Sequence, residues 1–181
     1  MARFDPALWI PVAAACVPAT VQATQYLTVE QAQRLLFASA ERFSPATVRL
    51  SPEARARIAA ESGVTSRADE QRVWRAMRGD TLIGFFALDE VIGKHELITY
   101  AVAMDPDGLI RGVEILDYRE SRGGEVRNPR WRAQFIGKRA ADTLRLGEDI
   151  QNLSGATLSC RHITDGVRRL VVLHRVALKG P

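Results

Sequence analysis

Residues 97–116 read Leu-Ile-Thr-Tyr-Ala-Val-Ala-Met-Asp-Pro-Asp-Gly-Leu-Ile-Arg-Gly-Val-Glu-Ile-Leu, and they decide the fold. Both halves are rich in β-branched and apolar residues. The centre, Asp105-Pro106-Asp107-Gly108, is a turn with a mechanism: proline presets one dihedral and glycine supplies a positive φ. The stretch therefore predicts two strands, 97–104 and 109–116, joined as an antiparallel hairpin. Residues 72–77 and 81–88 carry the same strand composition and extend the sheet toward the N-terminus. Gly84, Gly93 and Gly112 are expected at bulges, or where another group approaches the sheet.

The flanks change period. Thr28-Val29-Glu30-Gln31 is a capping box, and Val29, Ala32, Leu35 and Leu36 follow at helical spacing. Ser51-Pro52 places an N-cap before proline and opens a helix over 53–61, which Gly63 stops. Beyond the hairpin, 118–127 is a polar loop bearing glycine. Asn128-Pro129 then caps a helix through Trp131, Phe135 and Ile136, and a linker over 145–152 follows. In the run 160–174, Ile163, Val167, Leu170 and Val171 make one buried stripe. Arg168, Arg169 and Arg175 are expected off that stripe or at its end, where cations suit the helix dipole. The pattern predicts an α+β fold, a twisted antiparallel sheet packed by helices. It divides the chain into residues 1–23, a helical N-terminal segment over 24–69, and a main domain over 70–181. There is no internal repeat and no low-complexity tract.

The chain has 181 residues, 46% of them hydrophobic, enough for one domain with a sizeable core. Its 25 Lys and Arg against 21 Asp and Glu leave a net charge of +4. No run of five like charges occurs, and no basic stripe alternates with aromatics, so nucleic acid is not an expected partner. His95, His162 and His174 lack neighbours at metal-ligand spacing, so no metal site is expected. No dinucleotide or triphosphate fingerprint and no hydrolase signature is present. At the N-terminus Arg3 precedes an apolar stretch over 7–17, and Val21-Gln22-Ala23 has the small-x-small form of a signal-peptidase site. Asp5 weakens the basic start, and Pro11 and Pro18 break the apolar run. Export is expected, to the periplasm or the outer face of the cytoplasmic membrane. A lipoprotein signal ending at Cys16 and an uncleaved anchor are the alternatives. Cleavage after Ala23 leaves Cys160 alone, with no internal disulfide. It is read as a small buried residue, or as a thiolate favoured by a helix start.

Ser154-Gly155-Ala156-Thr157-Leu158 joins the polar approach to the last helix. Small residues at a helix entry let a ligand come close, and the free N–H groups of the first turn suit a phosphate. A threonine hydroxyl there can carry the phosphate covalently; the alternative is an ordinary helix start. The string resembles the flavin-attachment motif of the FMN-binding domain family, which includes subunits of membrane redox complexes. Residues 93–138 resemble the body of that domain, and the similarity extends over about 70–175. The resemblance implies FMN joined to Thr157 through a phosphoester. It implies a turn shaped by Ser154, Gly155 and Ala156, and phosphate oxygens held by the N–H groups of Leu158 and Ser159. Glu120 matches the family's loop glutamate near the flavin; a solvated acid is its other reading. Lys94 and Arg161 are candidate phosphate partners or solvated charges. Trp131 and Phe135 are candidates to flank the ring, or core aromatics. Many family members carry an aspartate three or four residues before the motif serine, where this chain has Gln151 and Ile150; Asp149 is the nearest acid.

The function so implied is extracytoplasmic electron transfer by covalent FMN. The partners are a flavin transferase that draws on FAD and a membrane or periplasmic redox protein. A non-covalent FMN-dependent reductase and a cofactor-free binding domain of the same fold are the alternatives.

Overall fold

The hairpin forms where the sequence predicts it. In the computed structural model, which describes residues 24–66, 68–120 and 122–179, β6 (Leu97–Met104) turns into β7 (Ile110–Tyr118). The Asp105 carboxylate closes the turn by accepting from the N–H groups of Asp107 at 2.9 Å and Leu109 at 2.8 Å. Two long strands precede the pair, β4 (Glu70–Arg78) and β5 (Thr81–Ile92). Three short ones complete the sheet: β1 (Thr24–Gln25), β2 (Arg42–Pro45) and β3 (Val48–Arg49). The order is β1-β7-β6-β5-β4-β2, with β3 also pairing β4, and every pairing is antiparallel.

Helix α1 (Val29–Leu36) carries the complete capping box at Thr28 and Gln31. Helix α2 (Pro52–Ser62) starts at the Ser51 cap and ends at Gly63, whose φ is +69°. One turn, α3 (Pro129–Arg132), follows the Asn128 cap and tightens into a 3₁₀ turn over Ala133–Phe135. Helix α4 (Thr157–Leu173) closes the fold and relaxes into a π turn over His174–Leu178. None of these helices is long and apolar enough to cross a membrane among the described residues.

Strand alternation divides the core. Ile98, Tyr100, Val102 and Met104 face α4 and meet Ile163, Val167, Leu170 and Val171. Ala101 and Ala103 face the other way and pack with Phe86, Leu88 and Leu116 beneath Ala32 of α1 and Phe37. The three sheet glycines all mark close approach. A Cβ at Gly84 would lie 2.6 Å from the Phe37 ring, one at Gly112 2.6 Å from Leu36, and one at Gly93 2.7 Å from the Glu120 carboxylate.

The structure departs from the sequence expectation at three places. The segment before residue 70 contributes three strands as well as two helices. The helix expected after Asn128 is a single α turn. Arg169, expected off the buried stripe, is 6% exposed. It pairs with Asp89 at 2.7 Å and donates to Gln71 Oε1 at 3.0 Å, while the Tyr100 hydroxyl donates to the same Asp89. α4 is packed on most of its circumference, so a cation facing inward has to be neutralised where it lies. The expected export segment, with Cys16, lies outside the described residues.

Candidate functional site

The entry to α4 is built from residues that leave its first turn bare. Gly155 takes a φ of +85°, which only glycine adopts without strain. Ala156 is the N-cap and offers no side-chain acceptor. The first intrahelical bond runs from Cys160 N–H to the Ala156 carbonyl at 2.8 Å. The N–H groups of Thr157, Leu158 and Ser159 therefore have no partner within the helix, and no side chain caps them. Thr157 is exposed, and its hydroxyl accepts from Asn152 Nδ2 at 3.0 Å.

A cleft of about 530 Å³ opens at this turn. One wall is the helix entry from Gly155 to Ser159. A second is the tip of the β5–β6 hairpin, with Lys94 and His95. The third is the strap after β7, with Glu120, Arg122 and Gly123. The volume falls in the range of small-molecule sites. Neither Lys94 nor Arg122 has an ion-pair partner among the described residues, so two unpaired cations line the cleft beside the exposed threonine's turn.

Two side chains hold the walls together. Glu120 reaches back to the hairpin tip, where its Oε1 accepts from the N–H groups of Glu96 at 3.0 Å and of His95. Burial pushes its pKa up, but the N–H groups of Glu96, His95 and Lys94 outweigh that and hold it below the usual value. Glu120 thus stays ionised and ties the tip to the strap. It lines the cleft, and it is an anchored carboxylate, not a freely solvated one. On the inner side the Tyr118 hydroxyl donates to the Arg122 carbonyl at 2.6 Å and lies 3.0 Å from the Ser159 hydroxyl. Since the phenolic proton goes to that carbonyl, Ser159 is the donor in the second bond. Burial raises the Tyr118 pKa and keeps this proton in place. Gly123, at φ +87°, fits between them: a Cβ there would lie 2.5 Å from the Tyr118 oxygen.

The remaining candidates separate. Ser154 is exposed in the turn before the cleft and does not line it. Trp131 does not flank the cleft. It is 2% exposed, its ring meets Phe135 edge-to-face at 5.3 Å, and its indole N–H donates to the Gln151 carbonyl at 2.8 Å. Phe135 is fully buried. A large aromatic on a helix face gains more from burial than from waiting on a ligand. Arg161 points into a different cavity, of about 710 Å³, between α2, α4 and the 140–148 loop. That cavity is larger, and several of its charges are paired, Arg145 with Glu148, Arg168 with Asp165 and Glu61 with Arg175, while Arg161 has no ion-pair partner among the described residues. The smaller cleft is the one that joins cations to a bare helix start. Asp149 accepts from the N–H groups of Leu144 and Arg145 and pairs with Lys138, so it serves the linker. Burial raises the Cys160 pKa, which makes it a structural thiol and not a thiolate. Among the described residues no cluster suits a metal ion. The sequence does not single out His95, Arg122, Tyr118 or Asn152; the one signal for Arg122 is its place before the Gly123-Gly124 pair.

The comparisons with known proteins bear on residues 93–172, which match the FMN-binding domain family. The C subunit of the Na(+)-translocating NADH-quinone reductase of Vibrio vulnificus strain YJ016 is 28% identical over 110 residues, covering 59% of this chain and 43% of that protein. Its counterpart from Yersinia pestis is 39% identical over 75 residues, covering 32% and 28%. The chain thus spans less than half the length of the curated relatives it matches. The crystal structure of Shewanella oneidensis NqrC superposes with a TM-score of 0.54 at 18% identity, over 79% of this chain and 87% of that one, so the fold is shared. The match over residues 93–172 and the shared fold together support an FMN-binding domain of the NqrC type.

Proposed function

We propose that this chain carries FMN covalently, through a phosphoester to Thr157, and passes electrons outside the cytoplasm as part of a membrane redox system. The observation that carries the reading is the uncapped first turn of α4, with the exposed Thr157 hydroxyl at the mouth of a cleft that holds Lys94 and Arg122. The site fits a phosphate. The N–H groups of Leu158 and Ser159 would bond its oxygens, and the positive end of the helix dipole favours the charge by about 0.3–1 kcal/mol. Lys94 and Arg122 add attraction that solvent partly screens. Glu120 holds the hairpin tip against the strap and so keeps the cleft's width. The Tyr118–Ser159 pair fixes the strap beside the motif.

The flavin, when bound, supplies the redox chemistry; the chain supplies position and charge. A threonine hydroxyl is a weak nucleophile, and no base contacts Thr157 among the described residues, so a separate flavin transferase drawing on FAD fits the site. The relatives are C subunits of a Na(+)-translocating NADH-quinone reductase, which supports a membrane redox partner. Residues 1–23, read as an export signal, support an extracytoplasmic location.

The test is the intact mass of the full chain co-produced with a flavin transferase. A gain of one FMN moiety, with flavin fluorescence that survives denaturation, is expected. Thr157→Ala should show neither. A Thr157→Ala chain that keeps acid-stable flavin overturns the reading.

A further inference from the structure

We propose that Asn152 is the positioning residue for flavin attachment, a role that rests on the reading of Thr157 as the acceptor. Its amide sets the direction of the hydroxyl that has to meet phosphorus.

Thr157 is β-branched and stands at the first position of α4. A threonine hydroxyl in a helix has two competing rotamers, one of which turns it back onto a carbonyl of the preceding turn. Here the hydroxyl bonds to Asn152 instead, with Nδ2 3.0 Å from Oγ1. A hydroxyl has one proton and two lone pairs. The amide N–H occupies one lone pair. The second lone pair and the proton remain free for the cleft. No other side chain among the described residues is in hydrogen-bond contact with Oγ1, and Asp149 is engaged with Leu144, Arg145 and Lys138.

Asn152 is itself held in place. The preceding residue is clamped at both ends of its peptide: Gln151 N–H donates to Gln134 Oε1 at 2.8 Å, and the Gln151 carbonyl accepts from Trp131 Nε1 at 2.8 Å. The buried Trp131 thus serves the site at one remove, by fixing the residue next to the one that aims the threonine.

The chemistry needs orientation here and no base. Thr157 Oγ1 attacks the flavin-side phosphorus of FAD. The oxygen–phosphorus ester bond forms, and the pyrophosphate bond to the AMP half breaks. The hydroxyl proton leaves with AMP or to a base of the transferase, and nothing is oxidised or reduced. A neutral amide cannot take that proton, so Asn152 acts as a donor throughout. The ester oxygen still accepts afterwards, so the bond to Asn152 survives the reaction. A carboxylate at the same place would accept from the hydroxyl and repel the incoming phosphate.

This gives a clean separation between donor and structural roles. The full chain is incubated with purified flavin transferase, FAD and Mg²⁺, and the initial rate of mass gain is read beside the melting temperature. Asn152→Ala should load about tenfold more slowly, the scale of one neutral hydrogen bond, with an unchanged melting temperature. Asn152→Asp keeps the shape and every acceptor, and aspartate forms turns as well as asparagine. It loses the donor, so it should load as slowly as the alanine variant at about pH 7.5. Its rate relative to wild type should recover only as the pH nears about 4, where the carboxyl regains a proton to donate. An Asn152→Asp chain that loads at the wild-type rate at neutral pH overturns the proposal, and so does an Asn152→Ala chain that does. A wild-type chain that takes up no flavin, or a Thr157→Ala chain that takes it up normally, overturns the attachment reading and this role together.

Discussion

The two ends of α4 solve opposite problems with the same backbone. At its start, the N–H groups of Thr157, Leu158 and Ser159 have neither a helical partner nor a side-chain cap, and unpaired Lys94 and Arg122 stand nearby. Near its end, Arg169 is buried but answered by Asp89 and Gln71, and Asp89 in turn by Tyr100. Polar groups left unsatisfied at a water-exposed cleft cost little, because solvent covers them until a ligand does. The same groups left unsatisfied in the core would be costly. The difference separates a surface kept open for binding from a polar network that keeps the helix seated.

The comparison breaks first at the buried end. Arg169→Leu leaves the largely buried Asp89 carboxylate with the Tyr100 hydroxyl and no cation. The expected loss is about 3–5 kcal/mol of unfolding free energy by urea titration. A loss under about 1 kcal/mol would mean that the pair is not the seat of the helix. Glu120→Ala tests the open end, where hydrogen bonds to a charged group hold the cleft wall. Partial solvent exposure discounts them, so the expected loss is about 1 kcal/mol, with Glu120→Gln losing less because one acceptor oxygen remains. An unchanged urea midpoint in both variants would return Glu120 to the status of a solvated acid.

The third way to sharpen the contrast is pH. His174 follows α4 at the π turn, is 1% exposed, and has no partner at Nε2 among the described residues. Burial lowers its pKa; Asp105 and Asp107 oppose this and Lys179 adds to it. The folded state therefore binds a proton less readily than the unfolded chain. The stability from this residue is complete above the unfolded value, about 6.5, and is lost as pH falls from there through the folded pKa. Melting temperatures between about pH 8 and pH 5 should fall more for the wild type than for His174→Phe. Parallel curves would place His174 in solvent. The smallest effect is expected at Thr157 itself. As an exposed side chain, its replacement by alanine should change stability by less than about 0.5 kcal/mol, checked by the same urea titration. A larger loss would make it a helix-capping residue first.

The sheet was legible because its signals are local. An Asp-Pro-Asp-Gly turn between two apolar runs specifies a hairpin without help from the rest of the chain. β2 and β3 were not, because strands of four and two residues carry no period, and Pro45 argues against one. The Ser-Gly-Ala-Thr string at the start of α4 stood out by its composition, and Glu120 only through the resemblance. Arg122 and His95 were not legible, because the cleft draws them from two segments that meet only in the folded chain, nor was Asn152, whose bond to Thr157 forms only once the turn folds. Trp131 and Arg169 misled in mirror-image ways. Aromatic character does not say whether a ring waits for a ligand or fills a core. A positive charge on a helix reads as solvent-facing until a carboxylate is found across the sheet.

Gly166 sits where α4 crosses Tyr100, and a Cβ there would lie 2.0 Å from the phenolic oxygen and 3.2 Å from Val91. Every amino acid other than glycine brings that carbon, so no single substitution at this position leaves the neighbourhood as it is. An escape route would first need the Tyr100 hydroxyl gone, as in Tyr100→Phe. That change leaves Asp89 with Arg169 alone and opens room beneath the helix. Positions 89, 100, 166 and 169 therefore form one heritable unit, in which the order of changes decides which chains along the way can fold.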